Sequence, residues 1–169
     1  RDSHGRIKYL IPTGHDITPL KQALEALATS EAQFSKAFEY APIGKALISR
    51  QGRFFRVNKT FCEIFGYTPT ELSGLKFKDI THPDEVQEDI QALRKLMART
   101  TDIYTREKRY LHKNGQVIWG KLSLVFISDT DNKPLFLIAQ VEDITRQKQA
   151  LAELRQSEER FKHLTTSLE

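Results

Sequence analysis

The residues able to do chemistry are few and scattered. The chain carries one cysteine, Cys62, in the stretch Phe61-Cys62-Glu63. A lone thiol excludes an internal disulfide framework and any multi-cysteine metal site, and it fits a reducing, cytoplasmic compartment. The five histidines, His4, His15, His82, His112 and His163, have no metal-type spacing between them. His82 stands before Pro83 and reads as a helix-entry residue. The eight glycines form no G-x-G-x-x-G phosphate cradle, and neither a nucleophile–base pair nor clustered carboxylates stand out. These residues predict no catalytic activity for the chain.

The densest basic cluster is Arg106, Lys108, Arg109, His112 and Lys113. With a net charge of only +4 and both signs interspersed, it reads as a solvated strand face rather than a nucleic-acid surface. The chain is 39% hydrophobic and 28% charged, an ordinary globular balance. Its longest apolar runs, Leu124–Ile127 and Leu135–Ala139, fall far short of the roughly 20 residues a membrane span needs. The sequence begins at Arg1, and we read it as part of a longer protein.

The elements that must position these groups follow from spacing. Pro42 closes a first helix, and Ile43–Ser49 and Arg53–Val57 read as strands about the turn Arg50-Gln51-Gly52. Asn58–Phe65 reads as a short helix stopped by Gly66, and Pro69–Leu72 as a single turn. Thr81 is expected to cap a longer helix whose buried stripe is Val86, Ile90, Leu93 and Met97. Tyr104–Leu111 and Val117–Ile127 form a hairpin through Asn114-Gly115, and Leu135–Val141 is the last strand. Helices segregated from an antiparallel sheet make an α+β fold.

An internal repeat sets the organisation. Asp16-Ile17-Thr18 recurs 127 residues on as Asp143-Ile144-Thr145, and Lys21-Gln22-Ala23-Leu24 as Lys148-Gln149-Ala150-Leu151. Each copy leads into a helix, with Thr18 expected as the N-cap and Pro19 in the first helical position. Leu20, Leu24, Leu27, Phe34 and Phe38 fall on one seam of average spacing 3.5, as do Leu151, Leu154 and Phe161. Glu31 and Glu158 interrupt the two seams, so a short, imperfect coiled coil and a homodimer are expected.

The set of local motifs resembles the PAS family. It comprises Pro42-Ile43-Gly44, Gly52 with Asn58, Phe65-Gly66-Tyr67, Glu71-Leu72, Asp79-Ile80-Thr81-His82-Pro83-Asp84, Lys108-Arg109-Tyr110, Lys113-Asn114-Gly115, Trp119 and Asp143-Ile144-Thr145. The resemblance implies a five-stranded antiparallel sheet with short helices on one face. It implies the last strand of a preceding unit at 1–18, a linker helix at 19–41, a core at 42–145, and a linker helix leading into a further unit at 146–169. Arrays of this kind in bacterial diguanylate cyclases and sensor histidine kinases are the nearest likeness. The implied function is sensing and signal relay to a downstream output domain, with the corner Asp143, Ile144 and Thr145 coupling the sheet to the outgoing helix. A cofactor-bound sensor and a plain structural spacer are the alternatives.

If the implied cleft is open, its expected lining is Phe61, Ile64, Phe65, Ile80, Ile90, Leu93, Leu122, Leu124, Phe136 and Ile138, all of which also serve as plain core. The family binds haem, flavin, small metabolites or nothing. Here no histidine lies between Asp84 and Arg99, and Cys62 stands earlier than the reactive cysteine of light-sensing relatives. No cofactor is assigned, and an unidentified small molecule is the remaining ligand class. Glu25-Ala26-Leu27 spells the signature of cyclic-di-GMP phosphodiesterases, but it lies within the linker helix without supporting metal carboxylates and reads as coincidence.

Overall fold

The computed structural model describes residues 4, 16–98, 101–131 and 133–166. Two compact units divide at Lys36 and Ala37. Within the first, the described chain is mostly the start of α1 (Thr18–Glu39), whose residues up to Phe34 are exposed. The segment 1–18 expected to be a preceding strand lies almost wholly outside the described residues.

The second unit follows the order β1 (Gly44–Ser49), β2 (Phe54–Val57), α2 (Lys59–Phe65), α3 (Pro69–Gly74), two 3-10 turns (Phe77–Ile80 and Pro83–Glu85), α4 (Val86–Met97), β3 (Ile103–Leu111), β4 (Val117–Ser128), β5 (Pro134–Asp143) and α5 (Thr145–Thr166). The strands form one sheet in the order β2-β1-β5-β4-β3, and every neighbouring pair is antiparallel. The core lies between one face of this sheet and the helical segments. It joins Ala46, Ile48, Leu122, Leu124, Ala139 and Val141 to Phe61, Phe65, Leu72, Ile80 and Leu96.

Asn58 fixes where the helical layer begins. It is fully buried, and its Oδ1 accepts from the amides of Lys45 (2.8 Å) and Phe61 (2.9 Å). Its Nδ2 donates to the carbonyls of Phe38 and Ile43, both at 3.0 Å. One amide side chain thus satisfies an N-cap, a strand and the end of α1, where an Ala would leave several buried backbone groups unpaired. Gly66 ends α2 at φ +75°, and a Cβ there would stand 2.3 Å from His112 Nε2, so no other residue fits without movement.

Three local expectations are corrected. The 3-10 turn Pro83–Glu85 separates Thr81 from α4, so Thr81 does not cap that helix; its hydroxyl instead donates to the Phe77 carbonyl at 2.9 Å. The deepest residues of α4 are Asp89, Ala92 and Leu96, while Met97 is exposed. The helix is rotated relative to its apolar stripe because a buried cation draws Asp89 inward, as described below. In the repeat, the aspartate and not the threonine caps: Asp16 Oδ1 accepts from Thr18 N–H, and Asp143 Oδ1 accepts from Thr145 N–H, each at 2.9 Å.

Candidate functional site: a small cavity and the corner leading out of the sheet

Side chains alternate along β3, so Arg106, Lys108 and Tyr110 share one face. The hairpin register pairs Lys108 with Gly120 and Tyr110 with Ile118, placing both on the face that carries Leu122 and Leu124. Lys108 is therefore not part of a solvated strand face: it is 2% exposed. Its Nζ forms an ion pair with Asp89 Oδ2 on α4, which is equally buried. The same ammonium donates to Thr81 Oγ1 at 2.9 Å and lies 4.2 Å from the centre of the Tyr110 ring. Burial lowers the Lys108 pKa, against the opposing pull of the Asp89 charge. Burial, and then the Asp89 charge, pushes the Tyr110 phenol well above its ordinary value.

Outside this pair, three carboxylates of the α4 entry hold two further β3 cations. Arg106 pairs with Glu85 and Glu88, and Arg109 reaches Glu85 Oε1 at 3.0 Å and Asp84 Oδ2 at 3.1 Å. Burial alone would raise the Glu85 pKa. The hydrogen bond from Arg109 and the charges of Arg106 and Arg109 outweigh it and hold the carboxyl below its ordinary range. Four acidic and three basic side chains thus clamp α4 and its entry turn onto β3.

Beneath the clamp lies a cavity of about 40 Å³. Phe61, Ile80, Leu93, Leu122 and Leu124, named from sequence, line it, together with Phe54, Thr81, Asp89, Lys108 and Tyr110. The other five sequence candidates lie elsewhere. Phe65 is fully buried between Phe61 and Tyr110, with ring centres at 4.6 and 5.1 Å. Ile64 borders a separate groove beside His112 and Arg146. Ile90 is half-buried and outside the lining. Phe136 and Ile138 have the opposite strand parity to the buried Leu137, Ala139 and Val141, and Phe136 meets Phe55 edge-on at 5.7 Å. The buried Lys108–Asp89 pair is not marked by residue type, because charged residues read as solvent-facing; the Asn114-Gly115 hairpin, extended in register, turns Lys108 inward.

The cavity does not suit the large cofactors of the family. No histidine or cysteine is in its lining, and pockets for drug-sized ligands run to roughly 300–1,000 Å³. Among the described residues, no three His, Cys, Asp or Glu side chains converge as metal ligands.

The way out of the sheet is the Asp143-Ile144-Thr145 corner. Ile144 is buried, and its N–H donates to the Trp119 carbonyl at 2.9 Å. The Trp119 N–H donates to Thr145 Oγ1 at 3.0 Å, so the first residue of α5 is bonded to β4 from both sides. Lys148 then lies 5.0 Å from the Trp119 ring centre and pairs with Glu107 of β3.

The seam candidates divide. Leu20, Leu24, Leu27, Phe34, Leu151, Leu154 and Phe161 are exposed, between 45% and 69%. Phe38 is not on that surface: it is 3% exposed, bonded through its carbonyl to Asn58, with the Arg56 guanidinium 4.8 Å from its ring centre. No helix among the described residues is long and apolar enough to cross a membrane.

Comparison with known proteins agrees with this architecture. The chain is 39% identical over 122 residues to the probable diguanylate cyclase DgcE of Escherichia coli (strain K12), an alignment covering 72% of the chain and 11% of that protein. It is 31% identical over 148 residues to the sensor histidine kinase TmoS of Ectopseudomonas mendocina, covering 88% of the chain and 15% of that protein. The chain thus spans only a small part of the length of either relative. A crystal structure of a PAS domain from Colwellia psychrerythraea superposes with a TM-score of 0.65 at 22% identity, covering 69% of this chain and 98% of that one. The PAS fold family model matches residues 54–141, just over half of the sequence. With its β2-β1-β5-β4-β3 sheet, its helical layer on one face and that match, the chain belongs to the PAS fold family.

Proposed function

We propose that this chain is a sensory and signal-relay PAS module with no catalysis of its own, which pairs with a second copy through its flanking helices. The observation that carries the reading is the double attachment of Thr145 and Ile144 to the Trp119 backbone. A shift in β4 must move the first turn of α5, because one backbone bond and one bond to the Thr145 hydroxyl, rather than a slack loop, join them. The cavity is linked to the same place. A Cβ at Gly120 would stand 2.6 Å from the Tyr110 ring, and Gly120 pairs with Asp143 in the sheet. Displacement of Tyr110 therefore bears directly on the strand position beside the corner. The two relatives, named as a probable diguanylate cyclase and a sensor histidine kinase, support an output domain of one of those classes elsewhere in the full-length protein. The lone, half-buried Cys62 fits a cytoplasmic setting.

Pairing is supported by the exposed leucines at coiled-coil spacing, Leu20, Leu24 and Leu27 on α1 and Leu151 and Leu154 on α5. Sedimentation equilibrium on residues 1–169 is expected to show a dimer that Leu151→Glu with Leu154→Glu converts to monomer. A wild-type chain that stays monomeric at high concentration would refute pairing. The relay is tested by spin labels on α5 in the wild type and in Thr145→Val. The variant is expected to change the label distances, and unchanged distances would leave a passive spacer.

A further inference from the structure

We propose that Glu107 is a partner-exchanging switch for α5: bound to Lys148 it latches the helix to the sheet, and passed to Lys121 it releases it. Glu107 and Lys108 are consecutive on β3, so their side chains leave the strand on opposite faces. Lys108 points into the core, and Glu107 stands on the outer face, directly opposite Lys121 of β4 in the hairpin register. Trp119 lies two residues before Lys121 and shares that face. There the Lys148 ammonium pairs with Glu107 Oε2 and sits 5.0 Å from the Trp119 ring centre.

Lys148 is where α5 parts from the sheet. Its side chain is half-buried, whereas every residue from Gln149 to His163 is exposed. The corner at Ile144 and Thr145 fixes where the helix starts, and the Lys148 contact one turn later fixes its direction. The helix has 22 residues, and a rise of about 1.5 Å per residue carries its far end about 30 Å from the corner. A tilt of about 15° therefore displaces that end by about 8 Å.

Exchange is built into the charges of this face. One carboxylate stands between two cations, and Lys121 holds no ion pair of its own among the described residues. Opposite charges directly facing each other across an antiparallel pair attract. The Glu107 and Lys148 side chains are 49% and 35% exposed, so their pair is weak, screened by salt and easily traded for another. The lysine also persists in the internal repeat: Lys21 stands 127 residues before Lys148, although Pro19 and Leu20 take the places of Arg146 and Gln147.

This inference deepens the relay reading and rests on it for its purpose. The strand that carries Glu107 outward carries the cations that hold α4, so a displacement of α4 reaches the switch through β3. Residual dipolar couplings of the isotopically labelled 1–169 chain in a neutral stretched gel report the angle of α5 against the sheet. Lys148→Met, Glu107→Thr and high salt are each expected to lower the couplings of 149–163 together, the mark of a helix that swings. Lys121→Met is expected to raise them, and Lys148→Arg to leave them near wild type. All three sites are exposed or half-buried, so the variants should fold. Couplings unchanged by Lys148→Met and Glu107→Thr, or lowered by Lys121→Met or Lys148→Arg, would overturn the switch; altered label distances in Thr145→Val would then leave the relay standing. A helix that swings in Lys148→Met while those label distances stay fixed would uphold the switch and overturn relay through the corner.

Discussion

Lys108 is the residue on which the interior turns. Its ammonium meets a carboxylate oxygen on α4, a hydroxyl between the two 3-10 turns and an aromatic face on its own strand. Removing one partner of a buried ion pair leaves the other charge uncompensated, whereas replacing both with apolar groups is often neutral or stabilising. Lys108→Met is therefore expected to lower unfolding stability by about 3–5 kcal/mol, and Asp89→Leu with Lys108→Met to recover most of that loss. Urea denaturation of both variants checks this, and a double variant as unstable as the single would show that the pair is structurally indispensable. Sequence patterning could not reveal the pair, because Asp89 sits among polar neighbours on α4 and Lys108 among basic ones on β3. Only the register that brings Lys108 opposite Gly120 exposes the pairing.

At the scale of elements, α4 and its entry turn are held to β3 mainly by charge, with Asp84, Glu85, Glu88 and Asp89 facing Arg106, Lys108 and Arg109. Glu85 has its pKa lowered in the folded chain, so its contribution is present above the unfolded value near 4.5 and is lost as pH falls through the folded value. Acidification below about 4.5 is expected to loosen α4 before the sheet, read as earlier amide exchange in 86–97 than in β4 and β5. Glu85→Gln should show weaker protection of α4 at neutral pH and a smaller acid response; an unaltered acid response would place the titration elsewhere. The sheet itself was legible from apolar alternation and the Asn114-Gly115 turn, since strand periodicity leaves one face to bury. The rotation of α4 was not, because an ion pair outweighed its apolar stripe.

For the whole molecule, the interior of the second unit is built from its own residues, and Phe38 is the last part of α1 that it buries. Residues 37–169 alone are expected to fold, with a thermal midpoint close to that of the full chain. A shortened chain that fails to melt cooperatively would show that 1–36 contributes to the core. From the 127-residue repeat we propose that Asp16-Ile17-Thr18 and Asp143-Ile144-Thr145 close successive units. The cavity was half legible: apolar residues of the right parity on α2, α4 and β4 were found, whereas Phe136 and Ile138 carry apolar side chains to the other face of β5.

The same hydrogen-bonded knuckle stands at Asp16 and at Asp143. Asp16 and Asp143 each hold the amide two residues on, and the carbonyls of Ile17 and Ile144 accept from Lys21 and Lys148 at 2.9 and 3.0 Å. A gene that gained or lost one whole period between these points would splice like to like, leaving each junction with its own hydrogen bonds and its helix in phase. The tandem array that we propose from this repeat could lengthen or shorten by recombination without a new joint having to be invented.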